Sequence, residues 1–254
     1  MSTPGTQPQA AGWYPDPAGS GGQRWHDGQG WTGQVVQDSG ATSAPLDHRF
    51  AGLSDWLARL LLVNAGLAVV YVVVEFWGVG TMTDFEADPA NGDLGALQTY
   101  DDVTLVLSYL TIALLLFTGI VWMVWQRRLA RAAPAKLRNG PGMHVGSWFI
   151  PVANLWLPFQ NMGDLWRAYE PRSPQPSPSP VSMLVPWWIF FLLSSLLGRL
   201  TFSQTMDANT LDAYRSAAEL SAAASLVTAV SAVLARLVVR RLGWRALFYH
   251  SAAA

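Results

Sequence analysis

Residues Val103 to Trp125 read VTLVLSYLTIALLLFTGIVWMVW, 23 residues without one Asp, Glu, Lys or Arg. A helix rises 1.5 Å per residue, so about 20 apolar residues cross the ~30 Å hydrocarbon of a bilayer. The stretch is long enough to span, and Thr104, Ser108, Thr111 and Thr118 can return their hydroxyls to carbonyls of their own helix. Three more stretches fit the same pattern. Leu57 to Trp77 is LARLLLVNAGLAVVYVVVEFW, with Arg59 and Glu75 near its two ends. Val181 to Leu200 is VSMLVPWWIFFLLSSLLGRL, with Pro186 in its first turns, where a missing amide hydrogen is best tolerated. Leu220 to Val239 is poor in bulky residues, and its small side chains Ala218, Ala222, Ser225, Ala229 and Ala232 recur at steps that line one helix face. That face predicts a helix buried in a bundle. The fold class is therefore all-α and polytopic, with four spans.

Composition agrees. Of 254 residues, 51% are apolar and 13% charged, against about 25% charged in an ordinary soluble domain. The net charge of -1 argues against a nucleic-acid partner, since neutralising phosphates needs an excess of Lys and Arg. With no Cys there is no disulfide framework, thiolate metal site or Cys nucleophile. Residues 1 to 47 hold no long apolar run, so no secretory signal peptide is expected. Residues 1 to 10 are expected to be disordered, and residues 37 to 50 to form a linker.

Charge in the loops sets an expected orientation. Residues 78 to 102 carry Asp84, Glu86, Asp88, Asp93, Asp101 and Asp102 without a base, whereas residues 126 to 140 carry Arg127, Arg128, Arg131, Lys136 and Arg138 without an acid. The positive-inside rule places the basic loop in the cytoplasm, and Arg240, Arg241 and Arg245 after the fourth span agree. Both termini are predicted cytoplasmic, in a cell (inner) membrane. The same five basic loop residues either serve as orientation signals or meet anionic lipid head groups.

Ser147 to Tyr169 (SWFIPVANLWLPFQNMGDLWRAY) is too interrupted to span. Pro151 and Pro158 break it, and Asn154, Gln160, Asn161, Asp164 and Arg167 are too many polar groups for lipid-facing backbone. It reads as an interfacial or re-entrant segment with Trp148, Trp156, Phe159 and Trp166 at headgroup level. Residues 171 to 180, PRSPQPSPSP, read as an exposed polyproline II spacer, and residues 246 to 254 as a tail.

Two stretches carry a resemblance. Gly12, Trp13, Tyr14, Pro15, Asp16, Pro17, Arg24, Trp25, Asp27, Gly28, Trp31 and Thr32 keep the pattern of a short Trp-rich module, so residues 11 to 36 resemble the domain of unknown function 2510. Trp148 to Pro151 (WFIP), Asn154 to Pro158 (NLWLP) and Trp166-Arg167 make residues 50 to 245 similar to the domain of unknown function 4328. Proteins of this kind occur mainly in actinobacteria. The resemblance implies a multi-span membrane protein with a small cytoplasmic appendage, and it brings no activity.

In the module, Gln23 to His26 and Trp31 to Val36 are strand-like runs around Asp27-Gly28, a dipeptide suited to a hairpin turn. Its aromatics either form a groove for Pro-rich peptides or are simply its core, made of Trp13, Trp25 and Trp31. In the bundle, Asn64 is expected to hydrogen-bond between helices rather than to line a transport path, and Glu75 and Arg199, at similar depth, to form an ion pair or to snorkel, with a proton-coupled site as the alternative. His26, His48, His144 and His250 lack metal-ligand spacing, and no nucleophile and base pair up. The expectation is a chain with no enzymatic activity, catalytic residues, metal or cofactor. It reads as an adapter or regulatory membrane protein with membrane lipids and a protein as partners, the protein engaged through the Trp-rich module. The rival reading is a small transporter or channel built as an oligomer of four-span subunits around the Pro-broken segment.

Overall fold

The computed structural model describes residues 10–19, 23–36, 46–170 and 180–251. The sequence expectations for residues 1 to 9, the linker before Leu46 and residues 171 to 179 of the spacer lie outside the described residues. Two compact units divide at Pro45.

In the first unit, β1 (Gly12–Pro15), β2 (Gln23–His26) and β3 (Trp31–Val36) form one antiparallel sheet in sequence order. The Asp27-Gly28 turn joins β2 to β3 as its sequence demands. Asp27 Oδ1 accepts from the amides of Gln29 and Gly30 at 2.8 and 2.7 Å, and Gly28 takes φ +94°, a left-handed value that glycine alone adopts freely. Those two amides hold the exposed Asp27 carboxyl below its ordinary pKa.

In the second unit, α1 (His48–Ala87), α2 (Leu94–Arg131), α5 (Pro180–Asp207) and α6 (Leu211–Ser251) are, among the described residues, the four helices long and apolar enough to cross a membrane. The protein is a membrane protein of four such helices. Each contains one of the four apolar stretches and overruns it. α1 has 40 residues and α6 has 41, about 60 Å of helix, so their ends project well beyond hydrocarbon. The overrun follows from caps placed outside the apolar runs. Asp47 accepts from the amides of Arg49 and Phe50 to start α1, and Asp93 accepts from those of Gly95 and Ala96 to start α2. Helix α1 therefore begins inside the expected linker, and α6 continues through most of the expected tail.

α2 packs along α1, and α6 is flanked by α1 and α5. Its small-residue face explains the position: Ala218, Ala222, Ala229 and Ala232 are all buried, which lets neighbouring helices approach closely. The core is concentrated at the basic end. There Leu57 and Leu61 of α1, Trp122, Trp125 and Leu129 of α2, Trp187 and Trp188 of α5, and Val238 and Leu242 of α6 pack together. Towards the acidic end α2 turns Leu105, Tyr109, Leu115 and Leu116 outward, as a lipid-facing helix does.

The interrupted segment folds as α3 (Pro141–Gly146), a single 3₁₀ turn at Ala153–Leu155, and α4 (Leu157–Ala168). Pro158 stands in the first turn of α4, where proline begins helices rather than breaking them. One face of α4 is buried against the bundle through Met162, Leu165 and Trp166. Trp166 is therefore a core residue and not a headgroup-level one. Phe149, Val152, Leu155 and Trp156 remain exposed, as an interfacial element requires.

Candidate functional site: a buried polar junction at the basic end

The aromatic residues at the end of α2 carry polar edges that cannot be left unpaired inside a bundle. Gln126 resolves this. It is fully buried, and its Oε1 accepts from Trp122 Nε1 at 3.1 Å and from Trp148 Nε1 at 3.0 Å. One amide thus ties α2 to the loop after α3. A second amide repeats the device on α4: Asn161 Oδ1 accepts from Asn139 Nδ2 at 2.9 Å, and its Nδ2 donates to Ser147 Oγ at 3.1 Å and to the Met143 carbonyl at 3.4 Å. Asn161 is fully buried as well. Trp188 of α5 donates to the Leu155 carbonyl at 3.1 Å, and Tyr169 donates to the Leu129 carbonyl at 2.9 Å.

The amides and indoles of the junction are themselves neutral, with one buried cation near them, Arg245 of α6, which lies 4.3 Å over the Trp166 ring. Within it, Gln126 Nε2 has no hydrogen-bond partner, and neither ring nitrogen of the fully buried His144 makes a hydrogen bond of ordinary geometry. Burial holds the His144 pKa below the ordinary imidazole value, while Asp164 and the Asn139 backbone pull the other way. The ring is neutral near pH 7. Burial likewise pushes the Tyr169 phenol up, so it stays protonated. Outside, Arg138 donates to Gln160 Oε1 at 3.0 Å and lies 3.8 Å from Asp164, which Arg167 meets at 2.5 Å. Arg127, Arg128, Arg131, Lys136 and Arg138 line the outer rim. Pro151 is exposed, and Asn154 is half-buried with an Oδ1 that has no hydrogen-bond partner. Exposed basic residues together with the exposed apolar residues Phe149, Val152, Leu155 and Trp156 are the side chains suited to a lipid–water boundary.

Sequence reading named Asn154, Gln160 and Arg167 but missed Gln126 and Ser147. Gln126 follows an apolar run and precedes two arginines, so it reads as the first residue of a loop. Its role depends on two indoles, one of them 22 residues away.

Deeper in the bundle, Asn64 Nδ2 donates to Thr118 Oγ1 of α2 and to the Leu60 carbonyl, both at 2.8 Å. That is the interhelical bond expected of it. The expected ion pair between Glu75 and Arg199 does not form. Glu75 is buried and accepts from Tyr100 and Ser221, each at 2.6 Å, whereas Arg199 lies exposed on α5. Similar depth placed both residues at one level of the membrane, but they face different directions.

The Trp-rich sheet also departs from a single aromatic core. Strand register pairs Trp13 with Trp25 and His26 with Trp31. Alternation then puts Trp13 and Trp25 on one face and Tyr14, His26 and Trp31 on the other. The rings follow: Trp13 and Trp25 meet edge-on at 5.4 Å, and Trp31 meets His26 at 5.0 Å and Tyr14 at 6.2 Å. Trp13 is 41% and Trp31 39% exposed. An ion pair of Arg24 with Asp16 at 2.9 Å fastens β2 to the turn after β1, where Pro15 and Pro17 are exposed.

Comparison with curated proteins finds no match, and none is found among solved structures. Two family profiles do match. Residues 11–44 match the family described as a protein of unknown function, DUF2510, and residues 88–243 match the domain of unknown function DUF4328. The second match begins at the α1–α2 turn and takes in the whole polar junction, α2, α5 and most of α6, more than half of the chain. The protein belongs to the DUF4328 family.

Proposed function

We propose that the protein is a non-enzymatic adapter or regulator that sits in the cell (inner) membrane as a multi-pass bundle, with both termini in the cytoplasm. The basic rim at one end of the bundle, against the acidic α1–α2 turn at the other, supports that orientation. It also supports membrane lipids as partners at the rim. The observation that carries the adapter reading is the pair of open aromatic faces on the small sheet. Trp13 and Trp31 each keep about two-fifths of their surface exposed, and aromatic rings on an extended sheet accept apolar and Pro-rich peptide segments.

Gentle detergent purification from native membranes, with the full chain and with a version lacking residues 1 to 45, tests this. Specific protein partners that accompany the full chain and vanish on truncation are expected. The same partners with both versions would overturn the docking role. It would move attention to the polar junction and to the transporter or channel reading, in which an oligomer of the bundle forms a path.

A further inference from the structure

Three helices converge on one carboxyl group towards the acidic end of the bundle. Glu75 of α1 is 3% exposed; its Oε2 accepts from Tyr100 of α2 and its Oε1 meets Ser221 of α6, each at 2.6 Å. Tyr100 reaches it because Gly78 presents no side chain: a Cβ there would stand 2.2 Å from the Tyr100 ring. One turn back along α1, Tyr71 shares its hydroxyl with Ser108 at 2.9 Å. The groups facing the carboxyl are thus hydroxyls: Tyr71 on its own helix, Tyr100 on α2, with Asp101 next to it, and Ser221 on α6. No cation reaches it among the described residues. Arg215, on α6 nearer the acidic end, is paired with Glu86 and Asp212, and Arg199 is exposed on α5.

A carboxylate removed from water without a counter-charge is expensive, and such a group takes up a proton instead. We propose that the α1–α2–α6 junction is a proton-binding site, in which Glu75 is held as the neutral carboxylic acid at neutral pH. The hydrogen bonds accommodate it. Tyr100 still donates to one oxygen, while the Ser221 bond, in which the carboxylate accepts, reverses: the protonated oxygen donates to Ser221, whose own hydrogen turns to a backbone carbonyl as serine hydroxyls in helices do. One proton is taken from solvent and nothing else is exchanged. Loss of it would leave an unbalanced charge between Tyr100 and Ser221. The inference is independent of the adapter reading.

Infrared difference spectroscopy of the full chain in lipid, wild type minus Glu75→Gln, tests it. At neutral pH the wild type is expected to show a carboxylic C=O stretch above the amide band that shifts in deuterium oxide and is lost in the variant. The amide introduced by Glu75→Gln keeps an acceptor for Tyr100 and a donor for Ser221, so the variant should fold. If it does not, Tyr100→Phe supplies the second reading, a shift of the same band to higher frequency as one hydrogen bond is lost. Absence of the band in wild type, or its persistence in Glu75→Gln, would overturn the proposal. Loss of the band on adding sodium chloride at fixed pH would also overturn it, in favour of a cation site.

Discussion

Replacing Gln126 by Leu should destabilise the basic end more than its size suggests. The substitution removes one acceptor and strands two indole donors, Trp122 and Trp148, now at 3.1 and 3.0 Å. A buried donor without a partner costs ~1–3 kcal/mol, and Trp148 is only half-buried, so its share lies at the lower end. Against this, Leu also removes the amide nitrogen of Gln126, which has no hydrogen-bond partner, and so returns part of the loss. The net is about 2 kcal/mol, which lowers a thermal midpoint by roughly 4–8 °C at ~2–4 °C per kcal/mol for a chain of this size. Thermal melts in detergent followed by Trp fluorescence read this directly. In a Trp148→Phe background one stranded donor is already gone, so the same substitution should cost about 1 kcal/mol less. An unchanged midpoint for Gln126→Leu, or an equal cost in both backgrounds, would refute the shared-acceptor reasoning.

Gly78→Ala should cost ~1–3 kcal/mol, because its Cβ would lie 2.2 to 2.6 Å from the Tyr100 ring. Gly66→Ala, with nothing within 4 Å, should be neutral or up to about 1 kcal/mol stabilising, since alanine favours helices; melts of the pair compare them. His144 has a folded pKa below its unfolded value near 6.5. As pH falls below that value the unfolded chain takes up the proton first, so stability present above it is progressively lost. His144→Gln should flatten this slope in melts taken over the window just below the ordinary imidazole pKa. For topology, Asn91→Cys should be labelled by an impermeant thiol reagent in intact cells and Gln175→Cys should not; the reverse pattern would invert the orientation.

Much of the bundle was legible because hydrophobic length is a local property. All four apolar runs lie within long helices, and the small-residue spacing of α6 identified its buried face. Helix ends were less legible, since Asp47 and Asp93 cap outside the apolar runs and hydropathy does not register caps. The polar junction was only half visible. Asn161 lay in a stretch already too polar for lipid, but Gln126 gains its meaning from Trp148, brought to it by the fold. The Glu75–Arg199 pairing failed because depth along a helix says nothing of rotation about it. In the sheet, alternation divides the tryptophans between two faces, and a count of aromatics gives no such division.

The adapter reading stands or falls on whether the aromatic faces meet a protein in the membrane. A photoreactive amino acid placed at position 13 or 31 of the full chain, irradiated in native membranes, tests this most directly. A discrete crosslinked protein from one or both positions, with none from the exposed position 91 in the α1–α2 turn, is the predicted result. Crosslinks from 13 and 31 only to lipid or to the chain itself would contradict it.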